Sequence, residues 1–187
     1  HRLCFLKKDM TTLAKPTPHI TPNWKWLCQH PAYWIGFGFG SGLSPKAPGT
    51  VGSLLALPLY AVLSVWLSAP MIALLCIPAF FVGVWACEVT GKALGVSDYG
   101  GMVWDEIVAM WLVLSIVLGY SNPSMSILSG AGAIHALAAF GLFRLFDITK
   151  PWPIGYLDRK IKGGLGVMVD DVVAAGFAIV SLLVLRI

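Results

Sequence analysis

The chain has 187 residues, of which 57% are hydrophobic and only 12% charged, and its mean hydropathy is +0.78. A soluble domain of this length carries about 25% charged residues, so the composition favours one compact integral membrane domain, with a soluble all-helical protein as the bland alternative. The formal net charge of +4 suits contact with anionic lipid headgroups, but no basic stripe with interleaved aromatics appears, which argues against nucleic acid.

Residues 1–32 read as a polar, basic, cytoplasmic lead-in. Pro16, Pro18, Pro22 and Pro31 keep it loop-rich, and it lacks the apolar core of a signal peptide. Trp24, Trp26 and Trp34 set its end at the headgroup level, where amphipathic rings partition. Cys4, Cys28, Cys76 and Cys87 form no C-x-x-C, so they signal neither a disulfide framework nor a zinc site. Residues 33–39 are apolar and glycine-rich but too short to cross a bilayer. From 38 to 53 the chain is dense in glycine and hydroxyls, with Ser41, Ser44 and Thr50 as donors suited to phosphate oxygens. The order of a Walker loop is absent. The blander reading is an ordinary turn-rich loop.

Five apolar segments follow, at 52–69, 71–87, 104–120, 127–146 and 167–185. Each is close to the roughly 17–25 residues that a helix needs to span a bilayer. The expected fold is therefore all-α, a polytopic membrane helical bundle of four to five hydrophobic helices. The first pair, joined by a very short connection at Ala69-Pro70, reads either as two spans or as a re-entrant hairpin. Orientation comes from the loops. Arg2, Lys7, Lys8, Lys15, Lys25 and Lys46 precede the first segment, Lys92 follows the second, and Lys150, Arg159, Lys160 and Lys162 follow the fourth. The stretches at 69–70 and 121–126 carry none. Basic residues stay on the cytoplasmic side, so these three regions share that face.

The acids gain meaning from this topology. Four of the nine fall in two doublets, Asp105-Glu106 and Asp170-Asp171, inside apolar stretches. A charge in hydrocarbon costs several kcal/mol unless it is paired, bound to metal or facing water. With Asp98, Asp147 and Asp158, the doublets gather at the cytoplasmic ends of segments two to five, as bundles do when they build metal sites. Adjacent helix positions point about 100° apart, so each doublet is expected to split, one acid toward a metal and its neighbour elsewhere. Arg144, Asp147 and Lys150 recur at intervals of three, which places a base, an acid and a base in line beside a phosphate. The alternative is an interfacial stop of snorkelling cations. Gly163, Gly164 and Gly166 precede the second doublet and expose backbone N–H groups to an anion. Glu88, Asp158 and Arg159 read as solvated loop surface, and His135, mid-segment and away from the acids, as a packing residue. No cysteine, histidine or aspartate has the setting of a phosphatase nucleophile. Attack by a metal-activated water is the economical reading, and hard carboxylate ligands favour Mg2+.

Four ordered motifs resemble one family. These are G-S-G-L-S-P-x-A-P-G-T-x-G-S (40–53), W-D-E (104–106), F-R-x-F-D-x-x-K-P-W-P-I (143–154) and G-G-x-G-x-M-x-D-D-x-x-A-G (163–176). They are similar to the bacterial phosphatidylglycerophosphatase A family, over residues 33–187. Ala109 stands where that pattern has Gly, and Lys46 falls at a variable position. The resemblance implies a multi-pass, Mg2+-dependent phosphatase of the bacterial inner membrane. It would convert phosphatidylglycerophosphate to phosphatidylglycerol and phosphate, with anionic membrane as its surroundings and no protein partner indicated. Under this reading Asp105, Glu106, Asp147, Asp170 and Asp171 are metal ligands. Asp105, Glu106, Asp147, Asp171, Arg144 and Lys150 carry catalysis, and Ser41, Ser44, Thr50, Gly163 and Gly164 bind phosphate or headgroup. Asp98 stands just outside. A phosphotransferase using a cytidine-nucleotide lipid would need a longer spaced-aspartate motif, which is missing. A metal or proton transporter would want its acids near the midplane.

Overall fold

The computed structural model describes residue 18, residues 20–121 and residues 126–185, with the side chains of 120, 121 and 158 left aside. The expectations resting on Arg2, Cys4, Lys7, Lys8 and Lys15, on part of the stretch at 121–126 and on the Asp158 side chain lie outside the described residues. All regular structure among them is helical. It comprises α1 (Trp24–Leu27), α2 (Pro31–Gly36), α3 (Pro48–Leu63), α4 (Ala69–Leu94), α5 (Trp104–Ser121), α6 (Gly130–Thr149), α7 (Ile154–Lys160) and α8 (Gly163–Leu185), with a 3-10 segment at Gly38–Leu43.

The helix ends follow local chemistry. Asn23 Oδ1 accepts from the Trp26 amide at 3.0 Å, and His30 Nδ1 from the Ala32 amide at 3.1 Å, capping α1 and α2. Ser129 Oγ caps α6 by accepting from the Gly132 amide at 3.0 Å. Pro48 opens α3, where its fixed φ is already helical and its missing N–H costs nothing. That moves the first apolar helix to 48–63, earlier than the hydropathy window at 52–69, and leaves 64–68 as the connection. Gly95, with φ 71, ends α4 in the left-handed conformation. α4 therefore runs beyond the expected end at 87, because its last turns are helical without being apolar. α6 stops at Thr149. Lys150 caps it in the left-handed conformation, with φ 40, and Pro151 follows, as prolines commonly do just past a helix end. α8 begins at Gly163, four residues before its apolar run.

Among the described residues three helices, α4, α6 and α8, are long and apolar enough to cross a membrane, and α3 is a shorter apolar helix. α5 is the hub, with α3, α4, α6 and α8 all packed on it, and residues 104–111 are all buried. Its two indoles tie it to its neighbours: Trp104 Nε1 donates to Ala79 O at 3.0 Å and Trp111 Nε1 to Ala56 O at 3.2 Å. On α4 the exposed side chains Met71, Leu74, Ile77, Phe81 and Trp85 recur every three or four residues. They give the helix an apolar outer face, as a lipid-facing helix requires. α3 packs mainly on α5 and the 3-10 segment rather than on α4, so the first pair is not a closely packed hairpin. A second, smaller core joins Trp26, Leu27 and Phe37 to Cys87, Leu94, Met102 and Val167.

Candidate active site

Five helix ends meet at one end of the bundle. The first turn of α3 brings Gly49 against Glu106 and Arg144. The first turn of α5 carries Asp105 and Glu106. The C-terminal part of α6 supplies Arg144 and Asp147, and its cap supplies Lys150. Glu88, toward the end of α4, meets the start of α8, which carries Asp170 and Asp171 within two to three turns. The positive ends of the α3, α5 and α8 dipoles point here, a setting that favours negative charge by about 0.3–1 kcal/mol per helix end.

A pocket of about 130 Å³ opens among these ends. Asp98, Asp105, Glu106, Asp147, Asp170 and Asp171 line it, with Lys150 and Lys162. Asp105, Glu106, Asp170 and Asp171 are all buried. Two charge pairs are built in. Arg144 Nη1 bonds Asp147 Oδ2 and lies 3.7 Å from Glu106 Oε1, while Lys150 Nζ bonds Asp170 Oδ2. The left-handed cap at Lys150 breaks the helical line expected through Arg144, Asp147 and Lys150, and the lysine reaches across to α8.

The remaining acids are under-satisfied. Asp105 Oδ1, Glu106 Oε2 and Asp171 Oδ2 are buried with no hydrogen-bond partner among the described residues. One ligand atom from each of these three residues lies within 4.8 Å of the other two. This differs from the expectation that one acid of the doublet turns toward a metal and its neighbour elsewhere, since Asp105 and Glu106 each bring a ligand atom to the same group. Adjacent helix positions point their Cβ atoms about 100° apart, but side chains are long enough for their terminal oxygens to meet, and Asp171 on α8 completes the group. Oxygens on opposite sides of a Mg2+ ion at about 2.1 Å are about 4.2 Å apart, so small side-chain shifts would close the group on a hard divalent cation. Buried, unpartnered carboxylate oxygens and six acids against two lysines make the donor set fit such an ion.

The glycines and hydroxyls make contacts within the fold. The Gly164 amide donates to Glu88 Oε2 at 2.9 Å. A carboxylate already occupies this helix N-terminus. A Cβ on Gly164 would also collide with Val84 O and the Glu88 amide. The glycines at the start of α8 thus allow close contact with α4, although Gly163 and Gly166 still line the pocket. Glu88, read from sequence as loop surface, is a tether between α4 and α8, and it also pairs with Lys92 at 2.9 Å. Ser41 Oγ donates to Gly38 O and Ser44 Oγ to Lys46 O, at 2.8 and 2.9 Å. Ser41, Ser44 and Thr50 are not among the residues lining the acidic pocket. Ser44 lines an adjoining pocket that shares Gly100 with it. Asp98 sits exposed at the rim, and Arg159 is exposed on α7. His135 bonds Ala131 O of its own helix at 2.7 Å and is not among the lining residues.

Two site residues were not singled out from the sequence. Gly49 is in van der Waals contact with the catalytic candidates, and its only signal was its place in a glycine-rich run. Lys162 was counted for topology alone.

The sequence profile described as Phosphatidylglycerophosphatase A matches residues 34–186. An Escherichia coli protein of that name is 39% identical over 145 residues, covering 78% of this chain and 77% of its own length. A Haemophilus influenzae protein of the same name is 40% identical over 151 residues, 81% of this chain and 86% of its own. A Bacteroides thetaiotaomicron protein, provisionally named a phosphatidylinositol-3-phosphatase, is 38% identical over 162 residues, 81% of this chain and 91% of its own. No solved structure matches the chain.

Proposed function

Because the chain belongs to the phosphatidylglycerophosphatase A family, we propose that this phosphoric monoester hydrolase acts on phosphatidylglycerophosphate, releasing inorganic phosphate and leaving phosphatidylglycerol. The observation that carries the reading is the convergence of Asp105, Glu106 and Asp171, with unpartnered buried oxygens, beside Arg144 and Lys150.

Asp105, Glu106 and Asp171 would hold one or two Mg2+ ions, with Asp147 and Asp170, which line the same pocket, as further candidate ligands. A divalent cation bound there supplies charge neutralisation for the phosphoryl group and lowers the pKa of water. The chain's own residues do the rest. Arg144 and Lys150 balance the charge that builds on the transferring phosphoryl oxygens. Asp147 and Asp170 hold those two cations in place through their ion pairs. In the hydrolysis, a water oxygen bonds to phosphorus as the ester P–O bond breaks. The water's proton passes to a carboxylate, with Glu106 the candidate base, and that carboxyl group then returns it to the departing glycerol oxygen, which leaves as a hydroxyl. Gly163 and Lys162 from the pocket lining, and Ser44 from the adjoining pocket, would meet the headgroup.

Lys150 and Lys162 line the pocket, and Lys92 lies in the last turn of α4 and Arg159 and Lys160 in the last turn of α7, a distribution that supports a cytoplasm-facing site in a bacterial inner membrane. The acids' position at the helix ends favours chemistry on a headgroup over a transport path through the midplane. A second reading, a phosphoinositide monoester as substrate, is favoured by the Bacteroides relative.

A phosphate-release assay with purified protein and Mg2+ separates these readings. The panel is phosphatidylglycerophosphate, phosphatidic acid and phosphatidylinositol 3-phosphate in matched mixed micelles. The expected result is a kcat/KM for phosphatidylglycerophosphate at least about tenfold above the others. Equal or faster release from the phosphoinositide would overturn the assignment.

A further inference from the structure

The matched family segment begins at residue 34, yet the residues just before it are part of the fold around the pocket. Leu27 is fully buried and Trp26 nearly so. The Trp26 ring stacks on Tyr33 at 4.1 Å and 3°, and meets Phe37 edge-on at 5.7 Å. Phe37 in turn packs on Tyr99, at 5.8 Å, in the loop between α4 and α5. The same small core contains Met102 and Val167, and both line the acidic pocket. The backbone completes the link. The Met102 amide donates to Tyr99 O and the Val103 amide to Gly36 O, each at 2.8 Å, so the end of α2 is bonded to the residue that precedes α5. Trp24 adds a second hold, since its ring lies where a Cβ on Gly40 would stand.

We infer that Trp26 is a positioning residue: α1 and α2 form a strap that fixes the α4–α5 loop and, through it, the first turn of α5, where Asp105 and Glu106 stand. The Trp26 ring touches no reacting group. Its effect reaches the carboxylates through Phe37, Tyr99 and Met102, and a displacement of about 1 Å at such a site can cost about 10²-fold in rate. The inference rests on the acidic pocket being the phosphate-releasing, cation-holding site.

The test compares Trp26→Ala with Ile72→Ala, which opens the main core at the far end of α4. Both are assayed well below their unfolding temperatures. Trp26→Ala is expected to lower kcat about tenfold or more with KM changed less than about threefold. It should also weaken Mn2+ binding, followed by electron paramagnetic resonance, by about tenfold. Ile72→Ala should keep both near wild type, and Trp26→Phe should recover most of the loss. If Trp26→Ala does not fold, Tyr33→Leu decides, with an expected fall in kcat of about threefold or more. Unchanged kcat and Mn2+ affinity in the strap variants would overturn the inference, as would equal losses in Ile72→Ala. Wild-type protein that binds Mn2+ without releasing phosphate would refute the proposed function instead, and the Mn2+ comparison would still decide the strap.

Discussion

Asp171→Asn is expected to lower phosphate release by about 10²- to 10³-fold while the protein still inserts and folds. The substitution keeps the side-chain volume and exchanges one carboxylate oxygen for an amide. In the wild type, Asp171 Oδ2 is buried without a hydrogen-bond partner among the described residues, in the group formed with Asp105 and Glu106. Three clustered acids repel one another, so removing one charge in the presence of a chelator should leave thermal stability unchanged or raised. The sign reverses with metal. A cation at about 100 times its Kd stabilises the wild type by about 2.7 kcal/mol, and the variant should gain far less. Phosphate release and thermal unfolding in detergent, each with chelator and with Mg2+, read both effects. Near-normal turnover by the folded variant would remove Asp171 from the site.

Gly49→Ala should cost nearly as much, about 10²-fold in kcat, for a steric reason. A Cβ at Gly49 would collide with Glu106 Oε1 and stand 3.2 Å from Arg144 Nη1. Both are the far ends of long side chains, so they yield more easily than backbone would and α3 remains folded. The strain is therefore taken up by Glu106, the proposed cation ligand and base, and by Arg144, the proposed partner of the phosphoryl oxygens. The same substitution at Gly141, where a Cβ meets open space, is the control and should leave kcat unchanged. Steady-state kinetics with unfolding midpoints for both variants check this. A Gly49→Ala protein with wild-type kcat would show that α3 does not set the Glu106 position.

The pattern of apolar segments carried the helical class and the alternation of helix ends, because both depend on residues near in sequence. The acids were visible for the same energetic reason, as charges in places where charge is costly. What stayed hidden was decided between distant residues. The fate of the Gly164 amide depends on Glu88, 76 positions away, and no local signal in the glycine run distinguishes a phosphate from a carboxylate as its partner. The convergence of Asp105 and Glu106 is not legible from helix geometry, because the 100° rule applies to Cβ directions and not to the oxygens at the ends of the side chains. Hydropathy placed the starts of α3 and α8 late, since Pro48 and the glycines at 163–166 begin helices without adding to an apolar run. The burial of Trp26 and Leu27 was masked by composition: a segment rich in proline and charge reads as a loop, and the tryptophans read as an interfacial belt. Gly49 illustrates the same limit from the other side, since the motif showed where glycine was dense and not which glycine touches Arg144.

The central claim is that the carboxylates gathered from α5 and α8 hold a divalent cation without which phosphate is not released. Phosphate release from phosphatidylglycerophosphate by the purified protein, stripped with a chelator and then supplied with Mg2+, measures this directly. The account predicts release near background in the stripped protein and recovery on adding Mg2+. Undiminished release in excess chelator would contradict it.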